Sequence, residues 1–266
     1  IMLGARIVVA VLGIPLLLAV AVLGGWWLTL LVSGITWIGL LEFYRLAARM
    51  DMKPLIPAGV LGGLTLVFAA YTSTELAGWL GVALTLAILL LFLIRFPRLR
   101  LADAAITLFG IWYIGGLMAF VPLIRELPGG AGMLIMTFLF TWIYDSGAFF
   151  CGRLFGRRHP RPQLSPKKTG AGVIGGIVAT VVLALALGPL LLPSPSNWLL
   201  AGLGLLAAVA AQTGDLIASG LKRQAGVKDS GWLLPGHGGI LDRFDSLLLV
   251  APVIYYYLTC FLLTGE

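Results

Sequence analysis

The chain has 266 residues, 60% of them hydrophobic and only 11% charged, with a mean hydropathy of +1.03 and a formal net charge of +7. A soluble domain of this size needs far more polar surface, so the composition excludes one and specifies an integral membrane protein. The excess of Lys and Arg reads first as a topology signal, and no nucleic-acid partner is expected from it.

Apolar runs long enough to cross about 30 Å of hydrocarbon recur along the whole sequence. They fall at 7–23, 26–47, 57–71, 77–94, 104–124, 132–152, 172–193, 197–220 and 244–263. The expected fold is therefore all-α and polytopic, with about nine transmembrane helices, because lipid offers unpaired backbone groups no partner. The first run, with Arg6 before it and Ala19-Val20-Ala21 near its end, imitates a cleavable secretory signal. Apolar sequence resumes at once with Trp26-Trp27, which instead predicts a tight hairpin into the second span.

Basic residues cluster in alternate loops: Arg45, Arg49 and Lys53 after the second span, Arg95, Arg98 and Arg100 after the fourth, and Arg153 to Lys168 after the sixth. The positive-inside rule then puts the N-terminus and every charged loop on the cytoplasmic side, with the inner membrane of a bacterial-type cell as the expected location. Cys151 and Cys260 are expected near opposite ends of their spans and unpaired.

The sixth span carries Asp145, and the loop after it ends in Leu164-Ser165-Pro166-Lys167-Lys168-Thr169. Adjacent lysines, flanking hydroxyls and a rigid proline suit a polyphosphate clamp; the bland alternative is a basic loop that only sets topology. Gly170 to Gly175 spells GxGxxG, but no strand precedes it, and the glycines are expected to open a membrane helix.

Charge is densest from Gln212 to Ser246, which holds four of the chain's eleven acidic residues and the cations Lys222, Arg223, Lys228 and Arg243. Intramembrane charge is costly, so such a cluster is a functional hypothesis by default. Asp215, Ser219 and Lys222 share one helix face. They form either a shielded intrahelical network or a site where Asp215 meets a hard divalent cation such as Mg²⁺. Asp242 and Asp245 open the ninth span, either as N-cap and dipole partner or as functional carboxylates. Between the two spans, Pro235, Gly236, Gly238 and Gly239 break the helix and let backbone N–H groups approach an anion. His237 there either bonds a phosphate or braces the turn.

The order Ser219-x-Leu221-Lys222-Arg223-x₄-Lys228-Asp229-x-Gly231-x₂-Leu234-Pro235-x-His237-Gly238-Gly239-Ile240-x-Asp242-Arg243-Phe244-Asp245 resembles the signature of the phosphatidate cytidylyltransferases, or CDP-diacylglycerol synthases. The resemblance extends to Gly214-Asp215, the Ser165–Thr169 box and Asp145, and more weakly to 110–113 with Arg125. It implies an enzyme of phospholipid biosynthesis that transfers a cytidylyl group from CTP to phosphatidate at the cytoplasmic face, giving CDP-diacylglycerol and pyrophosphate. It also implies Mg²⁺, with a second cation such as K⁺, and a homodimer. By the same resemblance Asp215, Asp242 and Asp145 hold metal, and Ser165, Lys167, Lys168, Thr169, Ser219, Gly238 and Gly239 bind substrate. Lys222, Arg223, Lys228, Asp229, His237, Arg243 and Asp245 then join Asp215 and Asp242 in catalysis.

The expected division is 1–130 as helical scaffold and lipid access, and 131–266 as the catalytic region with cytoplasmic loops 153–171 and 221–243. Two positions depart from the family pattern: Ala171 and Ala218 stand where glutamate is common. The rival readings are another CTP-using lipid enzyme, such as a polyprenol kinase or a cytidylyltransferase for a different lipid phosphate, and an ion-coupled transporter. The transporter would bury Asp145 and Asp215 but has no need of Lys167-Lys168 beside a Gly-His-Gly-Gly loop.

Overall fold

A computed structural model describes residues 2–159, 163–192, 195–231 and 238–262, with side chains from residue 11 onward. Among these the chain is all-α, as expected. It runs α1 (Met2–Leu23), α2 (Gly25–Ala48), α3 (Ile56–Thr72), α4 (Thr74–Arg95), α5 (Leu101–Gly110), α6 (Phe120–Glu126), α7 (Gly130–Phe155), α8 (Gly170–Leu191), α9 (Asn197–Gln224) and α10 (Leu241–Tyr257). A π-turn at Ile111–Gly116 joins α5 toward α6, and another at Leu258–Leu262 extends α10.

Seven of the described stretches are long and apolar enough to span a membrane: Gly25–Ala48, Thr74–Arg95, Leu101–Glu126, Gly130–Phe155, Gly170–Leu191, Asn197–Gln224 and Leu241–Leu262. Of the other two expected spans, the first lies in α1, a 22-residue helix that includes the apolar stretch Val11–Leu23, and the third is the shorter apolar helix Ile56–Thr72. At 1.5 Å per residue, a 17-residue helix such as α3 covers only about 25 Å, short of the hydrocarbon thickness. The expected hairpin after the first run is present: Gly24, at φ 64°, turns α1 into α2 in a conformation that suits glycine.

The chain divides into two compact units, residues 1–123 with 221–244, and residues 124–220 with 245–266. In the first, α3 packs against α2, α4 and the π-turn. Gly63 and Gly115 bring the backbones of α3 and the π-turn so close that a Cβ on Gly115 would collide with the main chain of Gly63. Tyr44 of α2 fills the space left by Gly59 and Gly110, and its hydroxyl donates to the Thr107 carbonyl at 2.9 Å. The turn before α3 is tied to α5 by buried polar groups. Asp103 Oδ1 accepts from Lys53 N at 2.7 Å, and Thr107 Oγ1 accepts from Leu55 N at 2.9 Å.

In the second unit α7 and α8 pack closely, joined through Gly147, Gly152, Gly172, Gly175 and Gly176. The GxGxxG run accordingly enters α8 as a helix-packing surface. α9 meets α8 through Gly204, while Tyr257 of α10 reaches α9 with its hydroxyl donating to the Leu199 carbonyl at 2.9 Å. Cys151 and Cys260 are both free thiols.

Candidate active site

Among the described residues, charged side chains singled out from the sequence gather in one polar cluster in each unit. In the second unit a cavity of about 300 Å³ is lined by Tyr144, Asp145 and Phe149 of α7, Ser165, Lys167, Lys168 and Thr169 of the following loop, and Gln212 and Asp215 of α9. The loop is shaped locally. Lys168 N closes a turn onto the Ser165 carbonyl at 3.2 Å, and Thr169 caps α8, its Oγ1 accepting from Gly172 N at 3.1 Å. The capped N-terminus of α8 thus opens beside two lysines, where the helix dipole favours negative charge.

Lys168 forms an ion pair with Asp215, each side chain about a quarter exposed. Ser219 lies one helical turn from Asp215, and its hydroxyl reaches Oδ1 at a long 3.3 Å. The intrahelical Asp–Ser–Lys network considered from the sequence is not the arrangement found, because Asp215 takes its lysine from the loop. Asp145 is exposed at the same cavity, as is Lys167. Two carboxylates, two ammonium groups and a helix N-terminus around one opening suit a polyanion that brings a hard cation with it.

Tyr144 and Gln212 were not singled out by sequence reasoning. The Tyr144 hydroxyl donates to Gln212 Oε1 across the cavity wall, joining α7 to α9. The signal was available: Tyr144 adjoins Asp145, and Gln212 lies three residues before Asp215 on the same helical face.

In the first unit the cluster centres on Asp242, at the start of α10. Its Oδ1 accepts from Lys222 Nζ at 2.6 Å. Its Oδ2 accepts from Ser230 N at 2.8 Å, Ser230 Oγ at 3.0 Å and Gly239 N at 3.0 Å. The Asp242 side chain is 7% exposed and that of Lys222 14%. Asp242 therefore acts backward on the preceding loop and does not cap its own helix. Gly238, at φ 80°, sits where a Cβ would press on Asp242 Oδ2 and Asp229 Cβ, so glycine is required both by conformation and by space.

Glu42 of α2 completes this cluster and was also missed. It is 2% exposed, and its carboxylate accepts from Ser230 Oγ at 2.9 Å, Ile240 N at 3.0 Å and Leu241 N at 2.9 Å. A lone acid inside the apolar run 26–47 was the signal for it.

Arg223, Lys228, Asp229 and Arg243 are exposed on the first unit. Asp245 belongs to the second unit and is 8% exposed, its Oδ1 accepting from Ser246 N at 2.7 Å while its carbonyl packs against Gly214. Pro235, Gly236 and His237 lie outside the described residues. Among the described residues no three His, Cys, Asp or Glu side chains converge as a metal-binding group. The donors at the second-unit cavity fit a cation shared with a phosphate ligand, since Mg²⁺ commonly takes one or two carboxylates plus substrate phosphates and water.

Known proteins resemble this chain along most of its length. A phosphatidate cytidylyltransferase of Synechocystis sp. is 31% identical over 287 aligned residues, covering 97% of each chain. One from Staphylococcus haemolyticus is 31% identical over 94% of this chain and 96% of its own. One from Staphylococcus saprophyticus is 40% identical over 157 residues, 59% of this chain and 60% of its own. The sequence model of the cytidylyltransferase family matches residues 4–261. That match spans both polar clusters and nearly every helix, and the chain is an enzyme of the cytidylyltransferase family.

Proposed function

We propose that the protein transfers the cytidylyl group of CTP to phosphatidate, giving CDP-diacylglycerol and pyrophosphate in a Mg²⁺-dependent step. A phosphate oxygen of phosphatidate attacks the α-phosphorus of CTP, the bond from that phosphorus to the bridging oxygen breaks, and the electron pair leaves with pyrophosphate. The nucleophile is already anionic, so no strong general base is needed. The barrier is one of bringing together two anions in line.

The observation that carries this reading is the cavity where Lys167, Lys168, Asp145 and Asp215 surround the capped N-terminus of α8. Lys167 and Lys168 hold the CTP phosphates, with Ser165 and Thr169 offering hydroxyls beside them. Asp145 and Asp215 are the carboxylates that would hold Mg²⁺, whose chemistry is to neutralise charge developing on the phosphoryl oxygens. On nucleotide binding Lys168 exchanges Asp215 for phosphate, leaving the carboxylate free for the cation. On the first unit Lys222, Arg223, Lys228 and Arg243 neutralise lipid phosphate or leaving pyrophosphate.

The names of the relatives support phosphatidate as the acceptor. The catalytic groups come from 131–266, with the first 130 residues as scaffold and route for lipid. The protein resides in a bacterial-type cytoplasmic membrane with its N-terminus and charged loops inside, as a homodimer. The test is pyrophosphate release by purified protein in mixed micelles, comparing phosphatidate with diacylglycerol and a polyprenol phosphate. Release on another lipid alone would keep the chemistry and replace the acceptor.

A further inference from the structure

Glu42 lies in the first 130 residues, outside every motif that marks the family resemblance, yet it is among the most buried acids of the described chain at 2% exposure. Burial of a carboxylate is costly unless its oxygens are hydrogen-bonded. Here three donors meet it, and all come from the loop before α10 or from the first residue of that helix. Oε1 accepts from Ile240 N, while Oε2 accepts from Leu241 N and Ser230 Oγ.

A helix begins with four N–H groups that have no intrahelical partner. α10 obtains acceptors at its start from a side chain about 200 residues away in sequence (|i−j| 198 and 199). A negative charge there also meets the positive end of the helix dipole. Ser230 connects this anchor to Asp242, because its hydroxyl lies 2.9 Å from Glu42 Oε2 and 3.0 Å from Asp242 Oδ2. It has a single proton to share between the two carboxylates.

The surroundings leave Glu42 little freedom. A Cβ on Gly231 or Gly239 would collide with its carboxylate, so the loop backbone closes on it from two sides. Its neighbours Phe43 and Tyr44 are buried, and the Tyr44 bond to the Thr107 carbonyl fixes this part of α2 to α5.

We propose that Glu42 is a positioning residue: by accepting from Ser230 Oγ and from the N–H groups of Ile240 and Leu241, it fixes Ser230 and the start of α10 in the arrangement that presents Asp242 and Lys222. This rests on the functional reading above for its catalytic consequence, while the anchoring itself is a property of the protein without substrate. Glu42→Gln preserves shape but puts an amide NH₂ against a backbone N–H in either orientation, so at least one of the three bonds is lost. Ser230→Ala removes the shared hydroxyl, and with it the contacts to Glu42 and Asp242, but leaves the Ile240 and Leu241 N–H groups on Glu42.

The experiment is hydrogen exchange by mass spectrometry on the detergent-solubilised full chain, with steady-state kinetics on the same preparations. In Glu42→Gln, exchange of the peptide containing Ile240 and Leu241 accelerates at least tenfold, while peptides from α7 and α8 match wild type. Turnover number falls at least tenfold with the KM for CTP within about twofold, and Ser230→Ala shows a smaller change of the same kind. Unchanged exchange at 240–241 would overturn the anchoring, and a uniform rise across all helices would reduce Glu42 to general stability. Faster local exchange with wild-type turnover would overturn its part in the reaction. A wild type inactive on phosphatidate and CTP would overturn the function proposed above, yet the exchange comparison would still decide whether Glu42 anchors the loop.

Discussion

Replacing Asp242 by asparagine tests the first-unit cluster at its centre. The new side chain presents one oxygen and one NH₂ in place of two acceptors. With the oxygen kept at the Oδ2 position, the bonds from Ser230 N, Ser230 Oγ and Gly239 N survive, and the amide confronts Lys222 Nζ donor to donor. Turned over, it serves Lys222 but sets NH₂ against two backbone N–H groups, which loses more. The first orientation therefore wins, at the cost of one charge-assisted hydrogen bond, about 1.5–3 kcal/mol. Little water reaches the pair to relieve that loss, since the two side chains are only 7% and 14% exposed. Converted at 1.4 kcal/mol per decade, the arrangement of Lys222, Ser230 and Gly239 around residue 242 becomes about 10- to 150-fold less favoured. Turnover falls at least tenfold while the protein stays folded in the membrane. The assay is pyrophosphate release at saturating CTP and phosphatidate, with gel filtration confirming a monodisperse protein. Lys222→Met and the double variant complete a cycle in which the double is no worse than Asp242→Asn alone, because the two residues act as one pair. A rate within about threefold of wild type in Asp242→Asn, or strictly additive losses in the cycle, would refute the reasoning.

Three further outcomes follow from the second unit. Asp215→Asn removes the partner of Lys168 and a proposed cation ligand, and turnover falls by about 100-fold or more with membrane insertion unchanged; a wild-type rate would remove Asp215 from the site. Lys167→Ala deletes an exposed ammonium at the cavity and raises the KM for CTP about tenfold, with the phosphatidate requirement little altered. An unchanged CTP dependence would return that loop to a topological role. Thr169→Val loses the cap of α8, which lowers stability by about 1 kcal/mol and is read as a drop of a few degrees in Tm. A Tm equal to wild type would show that the cap contributes nothing.

Membrane character, the positions of the helices and the residues of the polar loops were legible in the sequence, because each is written locally. An apolar run of 20 residues announces a span wherever it occurs, and Asp215 or Asp242 stands out against such a background. Partnerships were not legible. Helical spacing placed Lys222 with Asp215, whereas Lys168 takes Asp215 and Lys222 goes to Asp242, since a flexible ammonium follows the nearest unpaired carboxylate in space. The N-cap reading of Asp242 failed for a related reason: its carboxylate is drawn back to the N–H groups of the loop, and the helix start is served by Glu42. Glu42 was visible as a single acid in an apolar span, but its partners lie some 190 to 200 residues away (|i−j| 188, 198 and 199), and no local pattern encodes that pairing. Tyr144 and Gln212 are a smaller case, each beside a noticed residue and joined only by the packing of α7 and α9.

The most direct test of the central claim is pyrophosphate release from purified protein in mixed micelles, measured with each of CTP, phosphatidate and Mg²⁺ omitted in turn and with EDTA added. Release is expected only when all three are present, with CDP-diacylglycerol formed in equal amount. Release that persists without phosphatidate or in EDTA, or none with all three present, would contradict that claim.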